Sequence, residues 1–257
     1  MTKKQLQIQL VQYSPEWENA EANLNFLAEL LEDTDADITV LPEMFNTGFS
    51  MNAEKIAETM DGQTVSWLKK FSLKKGKAIC GSLSIKENGQ FYNRFIFAAD
   101  GQILAQYDKR HLFIFGGESE IYAHGNQRIT FEYLGWKILP VVCFDLRFPV
   151  WLRNTDDYEL MICPASWPSS RIDVWDALLK ARAIENQSFV CAVNRVGTDG
   201  MNLAYNGHSC ILSPDGKSLN LENTKNFLYH QNIDYDTLIK WRDKYKFLRE
   251  RDGFQFI

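Results

Sequence analysis

A chain of 257 residues with 45% hydrophobic and 24% charged residues has the composition of a soluble globular protein, not of a disordered tail or a membrane protein. Its net charge of -5 and pI ≈ 5.5 argue against a general nucleic-acid or membrane-surface binder. The N-terminal residues lack the apolar core of a signal peptide, and no apolar run approaches the ~20 residues that span a bilayer.

The predicted elements alternate between strands and helices. Residues 6–12 read as a strand in which Leu6, Ile8 and Leu10 alternate with glutamines. Ser14-Pro15 offers a helix N-cap and a first-turn proline, and Trp17, Ala20, Leu24, Leu27 and Leu31 come next at helical spacing. A short strand at 37–41 is stopped by Pro42. A second helix covers 64–75. The strands 78–85 and 91–98 are joined through Asn88-Gly89, a hairpin turn pair. A strand at 103–107 comes next, then a continuous apolar strand at 137–143 and a short helix after Pro149. The strand 160–163 precedes a long helix at 173–186. Strands at 189–193, 209–212 and 227–233, with a turn at Pro214-Asp215-Gly216, lead into a closing helix at 235–247. With no repeat or linker in view, a single α/β domain spanning 1–257, its sheets covered by helices, is the economical architecture.

Five cysteines, scattered and without CxxC spacing, suggest neither a disulfide framework nor a zinc site. Free thiols fit a reducing cytoplasm. The four histidines are dispersed, and no ligand set or phosphate loop is visible, so the chemistry is expected to need neither a metal nor a cofactor.

Three segments place reactive side chains directly after apolar strands: Leu41-Pro42-Glu43-Met44, the stretch from Tyr107 to Phe113 around Lys109, and the stretch from Val141 to Pro149 around Cys143. Strand ends are where ligands and catalytic groups collect in α/β folds. A carboxylate, an ammonium and a thiol meeting there suffice for acyl transfer: the carboxylate takes the thiol proton, the thiolate attacks, and the ammonium stabilises the oxyanion. Taken singly, a strand-end glutamate or a lysine in a charge cluster is commonly only solvated. A strand cysteine is commonly a small buried hydrophobe, the expectation for Cys80, Cys163, Cys191 and Cys210.

Jointly, in this order and spacing, the segments resemble the nitrilase or carbon–nitrogen hydrolase superfamily. Glu43 stands in an LPE motif, Lys109 in KxHLF and Cys143 in CxDxRFP. Pro164-Ala165-Ser166-Trp167-Pro168, the run from Ala181 to Gln187, and Asn194-Arg195-Val196-Gly197 are further family segments. The resemblance implies a four-layer α-β-β-α sandwich, a homodimer with helices packed between subunits, and a Glu43–Lys109–Cys143 triad. It also implies a second glutamate, which the seven-residue offset from Gly125 assigns to Glu118 with Glu120 as rival. Within the superfamily the bacterial ω-amidase branch is most similar. That similarity implies hydrolysis of the distal amide of 2-oxoglutaramate or 2-oxosuccinamate through a Cys143 thioester. An N-carbamoyl amidase, a deaminated-glutathione amidase, an aliphatic nitrilase and a non-catalytic binding protein on the same fold are the alternatives.

On this reading Glu43 accepts the Cys143 proton, Lys109 and the Phe144 backbone N–H hold the oxyanion, and Glu118 orients Lys109 or the substrate amide. Arg171 is the candidate for the substrate carboxylate, since a guanidinium recognises that group bidentately, and Trp167 and Phe113 are candidate pocket walls. Arg182 and Glu185, three apart on a helix, are expected to pair as a brace, and Asp145 and Arg147 to shape the turn at Cys143. His111 and His208 raise a Cys–His alternative that nothing else in the sequence supports. The expected partner is a small-molecule amide, with no nucleic acid and no membrane.

Overall fold

The computed structural model describes residues 4–219, 222–225 and 227–255; the ends of the expected 1–257 domain lie outside them. In chain order the elements are β1 (Gln5–Val11), α1 (Ala20–Leu30), β2 (Ile38–Val40), α2 (Ala53–Ile56), α3 (Gln63–Lys75), β3 (Ala78–Glu87), β4 (Gln90–Ala99), β5 (Gln102–Asp108), α4 (Glu118–Ile121), β6 (Phe131–Tyr133) and β7 (Trp136–Pro140). Next come α5 (Pro149–Leu152), β8 (Leu160–Ala165), α6 (Ile172–Asn186), β9 (Phe189–Asn194), β10 (Val196–Thr198), β11 (Ala204–Asn206), β12 (Cys210–Leu212), β13 (Glu222–Lys225), β14 (Leu228–Asp234) and α7 (Tyr235–Lys244).

Two sheets stack face to face. One runs β13-β14-β1-β2-β3-β4-β5, the other β12-β9-β8-β7-β6, and β10 pairs with β11 as a separate ribbon. Side-chain alternation explains the stacking. Leu6, Ile8, Leu10, Phe95 and Phe97 of the first sheet belong to one core cluster with Ile138, Ile162 and Val190 of the second. The opposite face of the first sheet, with Ile79, Leu83 and Ile96, packs on Leu24 and Leu27 of α1 and Val65 and Leu68 of α3. Trp175, Leu179 and Ala183 of α6 cover the second sheet. The result is the four-layer α-β-β-α arrangement. Strands β7, β8 and β9 are mutually parallel, and β8 is buried along its whole length. Burial on both faces is why it reads as an unbroken apolar run.

The structure departs from the predicted elements in instructive places. No helix begins at Ser14-Pro15. Glu18 takes a left-handed φ of 52°, which breaks any helix started there, and Asn19 caps α1 by accepting from Ala22 N–H at 3.2 Å. The strand expected to reach Cys143 ends at Pro140, three residues earlier, and Cys143 instead opens a 3₁₀ turn over Cys143–Arg147. The closing helix stops at Lys244, with a separate 3₁₀ turn at Phe247–Glu250. The Asn88-Gly89 hairpin is present, both residues at positive φ, as a two-residue turn of that kind requires.

Candidate active site

The strand ends meet at one point. Past β2 the chain stays docked on β3 through Leu41 N–H to Cys80 O, 2.7 Å, and delivers Glu43. Past β5, Lys109 N–H still bonds Asn93 O on β4 at 2.9 Å, and Lys109 O accepts from Gly125 N–H at 2.9 Å. Gly125 is required there: a Cβ on it would lie 1.9 Å from Asp108 O. Past β7 comes Cys143, and past β8 come Ser166 and Trp167.

Glu43, Lys109 and Glu118 form a buried cluster, each about 1% exposed or less. Lys109 Nζ donates to Glu43 Oε1 at 2.8 Å and to Glu118 Oε1 and Oε2 at 3.0 and 2.8 Å. Glu118 is fixed in turn by Phe113 N–H to its Oε2, 2.6 Å. Its rival Glu120 is exposed. Asn93, which no sequence motif had marked, donates through Nδ2 to Glu43 Oε1 at 2.8 Å and Glu118 Oε1 at 3.0 Å. Ser166 N–H, equally unforeseen, donates to Glu43 Oε2 at 2.9 Å. Asn93 carried one signal: it interrupts the apolar inner-face row that continues through Phe95 and Phe97 of β4.

Burial tends to lower the Lys109 ammonium, but the Glu118 and Glu43 carboxylates outweigh it and hold the group above its ordinary range. Burial pushes the Cys143 thiol well up, Glu43 adds to the rise, and Lys109 opposes it. The balance works against the thiolate, so a base beside the thiol assists attack. Its φ of 45° is a left-handed conformation that costs a non-glycine residue roughly 1–2 kcal/mol. The turn it opens is braced on several sides. Asp145 Oδ2 accepts from Val142 N–H (3.1 Å) and Tyr107 OH (2.8 Å), and its Oδ1 from His111 N–H (2.9 Å). Arg182 on α6 donates from Nη2 to Leu146 O (2.8 Å) and pairs with Glu185 (2.8 Å). Asp145 thus shapes the turn as expected, and the Arg182–Glu185 pair forms. His111 is spoken for by Asp145 and by stacking on Phe148 at 3.7 Å; His208 pairs with Asp176 instead.

Lys109 and Cys143 lie at the floor of a pocket of about 430 Å³, counted to its open mouth. Phe113, Phe144, Trp167 and Arg171 line it. Phe49, Leu203 and Tyr205 complete the walls, and no sequence signal had marked them. Trp167 is clamped by Asn194, whose Oδ1 accepts from Trp167 N–H (2.8 Å) and whose Nδ2 donates to Trp167 O (2.9 Å). Arg147, the last residue of the Cys143 turn, also lines the pocket. Its guanidinium lies 5.1 Å from the Trp167 ring centroid and 5.8 Å from that of Phe144, while Arg171 sits 5.0 Å from the Phe113 ring. The pocket thus holds two guanidiniums at its walls and an ammonium at its floor.

The profile of the carbon-nitrogen hydrolase family matches residues 7–243. The chain belongs to the carbon-nitrogen hydrolase family. It is 39% identical to the omega-amidase YafV of Yersinia enterocolitica, over 98% of this chain and 99% of that one. It is 38% identical to the 2-oxoglutaramate amidase of Bacillus subtilis strain 168, over 73% of this chain and 74% of that one. A crystal structure of XC1258 from Xanthomonas campestris, a CN-hydrolase superfamily protein with an arsenic adduct in its active site, superposes with a TM-score of 0.95. That protein is 38% identical, covering 99% of this chain and all of the other. A thiol, two carboxyl groups and a buried ammonium thus lie together at this site, groups of the kind that can carry acyl transfer.

Proposed function

We propose that this hydrolase releases ammonia from the distal amide of a small 2-oxo dicarboxylic acid ω-amide, 2-oxoglutaramate or 2-oxosuccinamate. The observation that carries the reading is the buried Glu43–Lys109–Glu118 cluster, which reaches through Lys109 a pocket also lined by Cys143, Arg147 and Arg171. Glu43 takes the thiol proton, and Cys143 sulfur attacks the amide carbon. Lys109 and the Phe144 N–H receive the oxyanion, each such donor being worth about 3–4 kcal/mol of barrier. Collapse of the tetrahedral intermediate expels ammonia, which takes the proton from Glu43. Water, activated by Glu43, then cleaves the thioester to the acid. Glu118 holds Lys109 in place. All of this uses the chain's own side chains and needs no cofactor.

The substrate's free carboxylate meets Arg147 and Arg171. A charge-assisted hydrogen bond is worth about 1.5–3 kcal/mol, so Arg147→Ala and Arg171→Ala are each expected to raise KM by about tenfold to a hundredfold. Steady-state kinetics on the keto-amide, with kcat changed much less than KM, checks this. An unchanged KM in both variants removes the carboxylate from this end of the pocket. The enzyme as a whole is read as one domain working in the cytoplasm, where its free cysteines stay reduced. It is read as a homodimer through α5 and α6, whose Val150, Val174 and Ile184 are exposed.

Ammonia release from 2-oxoglutaramate, 2-oxosuccinamate, glutamine, asparagine, an N-carbamoyl amino acid and a simple nitrile tests the substrate assignment. The two keto-amides are expected to dominate by at least tenfold. Preferential turnover of another compound retains the cysteine chemistry and rejects the keto-amide.

A further inference from the structure

We propose that Asn93 is a positioning residue which, together with Lys109, occupies Oε1 of Glu43 and thereby commits Oε2 to exchanging the proton with Cys143. This rests on the reading of Glu43 as the base. Asn93 lies on β4, fully buried, and its two Nδ2 hydrogens reach the two carboxylates, Glu43 Oε1 at 2.8 Å and Glu118 Oε1 at 3.0 Å. Lys109 Nζ spans the same two groups. Oε1 of Glu43 therefore receives two donors and Oε2 receives one, from Ser166 N–H at 2.9 Å.

That same Ser166 N–H also faces the Cys143 sulfur. The oxygen with a lone pair to spare is thus the one on the nucleophile's side. A proton arriving at Oε1 would displace a hydrogen bond from Lys109 or Asn93, whereas one arriving at Oε2 displaces neither. In the proton exchange the S–H bond breaks, an O–H bond forms at Oε2, and the electron pair left on sulfur becomes the new C–S bond.

A second feature separates this from ordinary core bonding. Among the described residues the Asn93 Oδ1 has no hydrogen-bond partner, although buried amides commonly satisfy both ends. The side chain turns its donor end to two carboxylates and leaves its acceptor unmatched. That is the behaviour of a group held for the carboxylates' sake. The titratable groups facing Glu43 are Lys109 at the end of β5, Glu118 on α4, Tyr122 just after it, Cys143 beyond β7 and Cys163 on β8.

The test is the rate of Cys143 alkylation by iodoacetamide between about pH 4 and 9, monitored by peptide mass spectrometry with Cys143→Ala as the blank. It requires no amide turnover, so an error in the substrate does not affect it. The wild type is expected to show an acidic limb that Glu43→Gln abolishes. Asn93→Ala withdraws an N–H donor from the ionised carboxylate, so the limb moves to higher pH by about one unit. The isosteric Asn93→Asp adds a like charge and moves it further. If the limb vanishes in Glu43→Gln but stays in place in both Asn93 variants, Asn93 only fills space and the proposal falls while the base stands. A limb that survives in Glu43→Gln refutes the base, and the proposal with it. Should Asn93→Ala fail to fold, Asn93→Asp decides.

Discussion

Cys143→Ala is expected to reduce ammonia release to background, a loss of at least about 10⁴-fold, with little change in melting temperature. The size reflects that, among the described residues, no other thiol lines the pocket: Cys80, Cys163 and Cys191 are fully buried, Cys163 next to the cluster, and Cys210 is half-buried on β12. Removing a covalent nucleophile leaves only the residual catalysis of the oxyanion site. Stability is expected to hold because alanine meets the same left-handed strain at φ 45° and loses a single buried sulfur. Cys143→Gly relieves that strain and should be equally inactive and at least as resistant to heat. Intact-mass measurement on quenched wild type should show the acyl adduct, and neither variant should. Activity surviving at a tenth of wild type in Cys143→Ala would remove the thioester from the mechanism.

The triad was legible in sequence through the resemblance: the LPE, KxHLF and CxDxRFP segments, in that order, marked Glu43, Lys109 and Cys143. Leu41 and Tyr107 end recognisable strand runs, and residues just past a strand end land at the mouth of the sheet. Two kinds of information were hidden. Cys143 read as strand because Lys137–Val142 is apolar enough to continue it. Only the bonds from Asp145 back to Val142 and from Arg182 across to Leu146 show why the chain turns there, and both link residues that local periodicity does not. Asn93, Ser166, Tyr205 and Arg147 were hidden for a second reason. Asn93 on β4 and the Ser166 N–H after β8 meet one carboxylate past β2 because the two sheets stack, and Tyr205 and Arg147 reach the pocket from the β11 ribbon and the Cys143 turn. Periodicity locates the face a residue occupies, not the residue opposite it in another layer. Glu118 lies between these cases: its offset from Gly125 marked it, but only the bonds to Lys109 and Phe113 separate it from Glu120.

Glu43→Gln is expected to lower kcat by about 10³-fold, in the middle of the range for a general acid–base residue, and one carboxylate serves in both halves of the reaction. It is also the substitution that perturbs the cluster least. In the buried cluster two carboxyl groups share one ammonium. Replacing Lys109 would strand both carboxylates, and breaking a buried pair in that way costs about 3–5 kcal/mol. Glutamine at position 43 leaves Lys109 paired with Glu118 as a neutral unit. Its amide oxygen is expected to stay where two donors converge, Lys109 and Asn93. Its NH₂ then turns toward Ser166 N–H, losing one hydrogen bond worth about 1 kcal/mol. The variant should therefore fold and bind substrate with a KM within severalfold of wild type while failing to acylate. Rapid-quench kinetics distinguishes the outcomes. Disappearance of the acyl-enzyme burst locates Glu43 in the first step. A burst that persists at full amplitude, with slow turnover after it, confines Glu43 to thioester hydrolysis. Turnover within tenfold of wild type assigns the proton to another group.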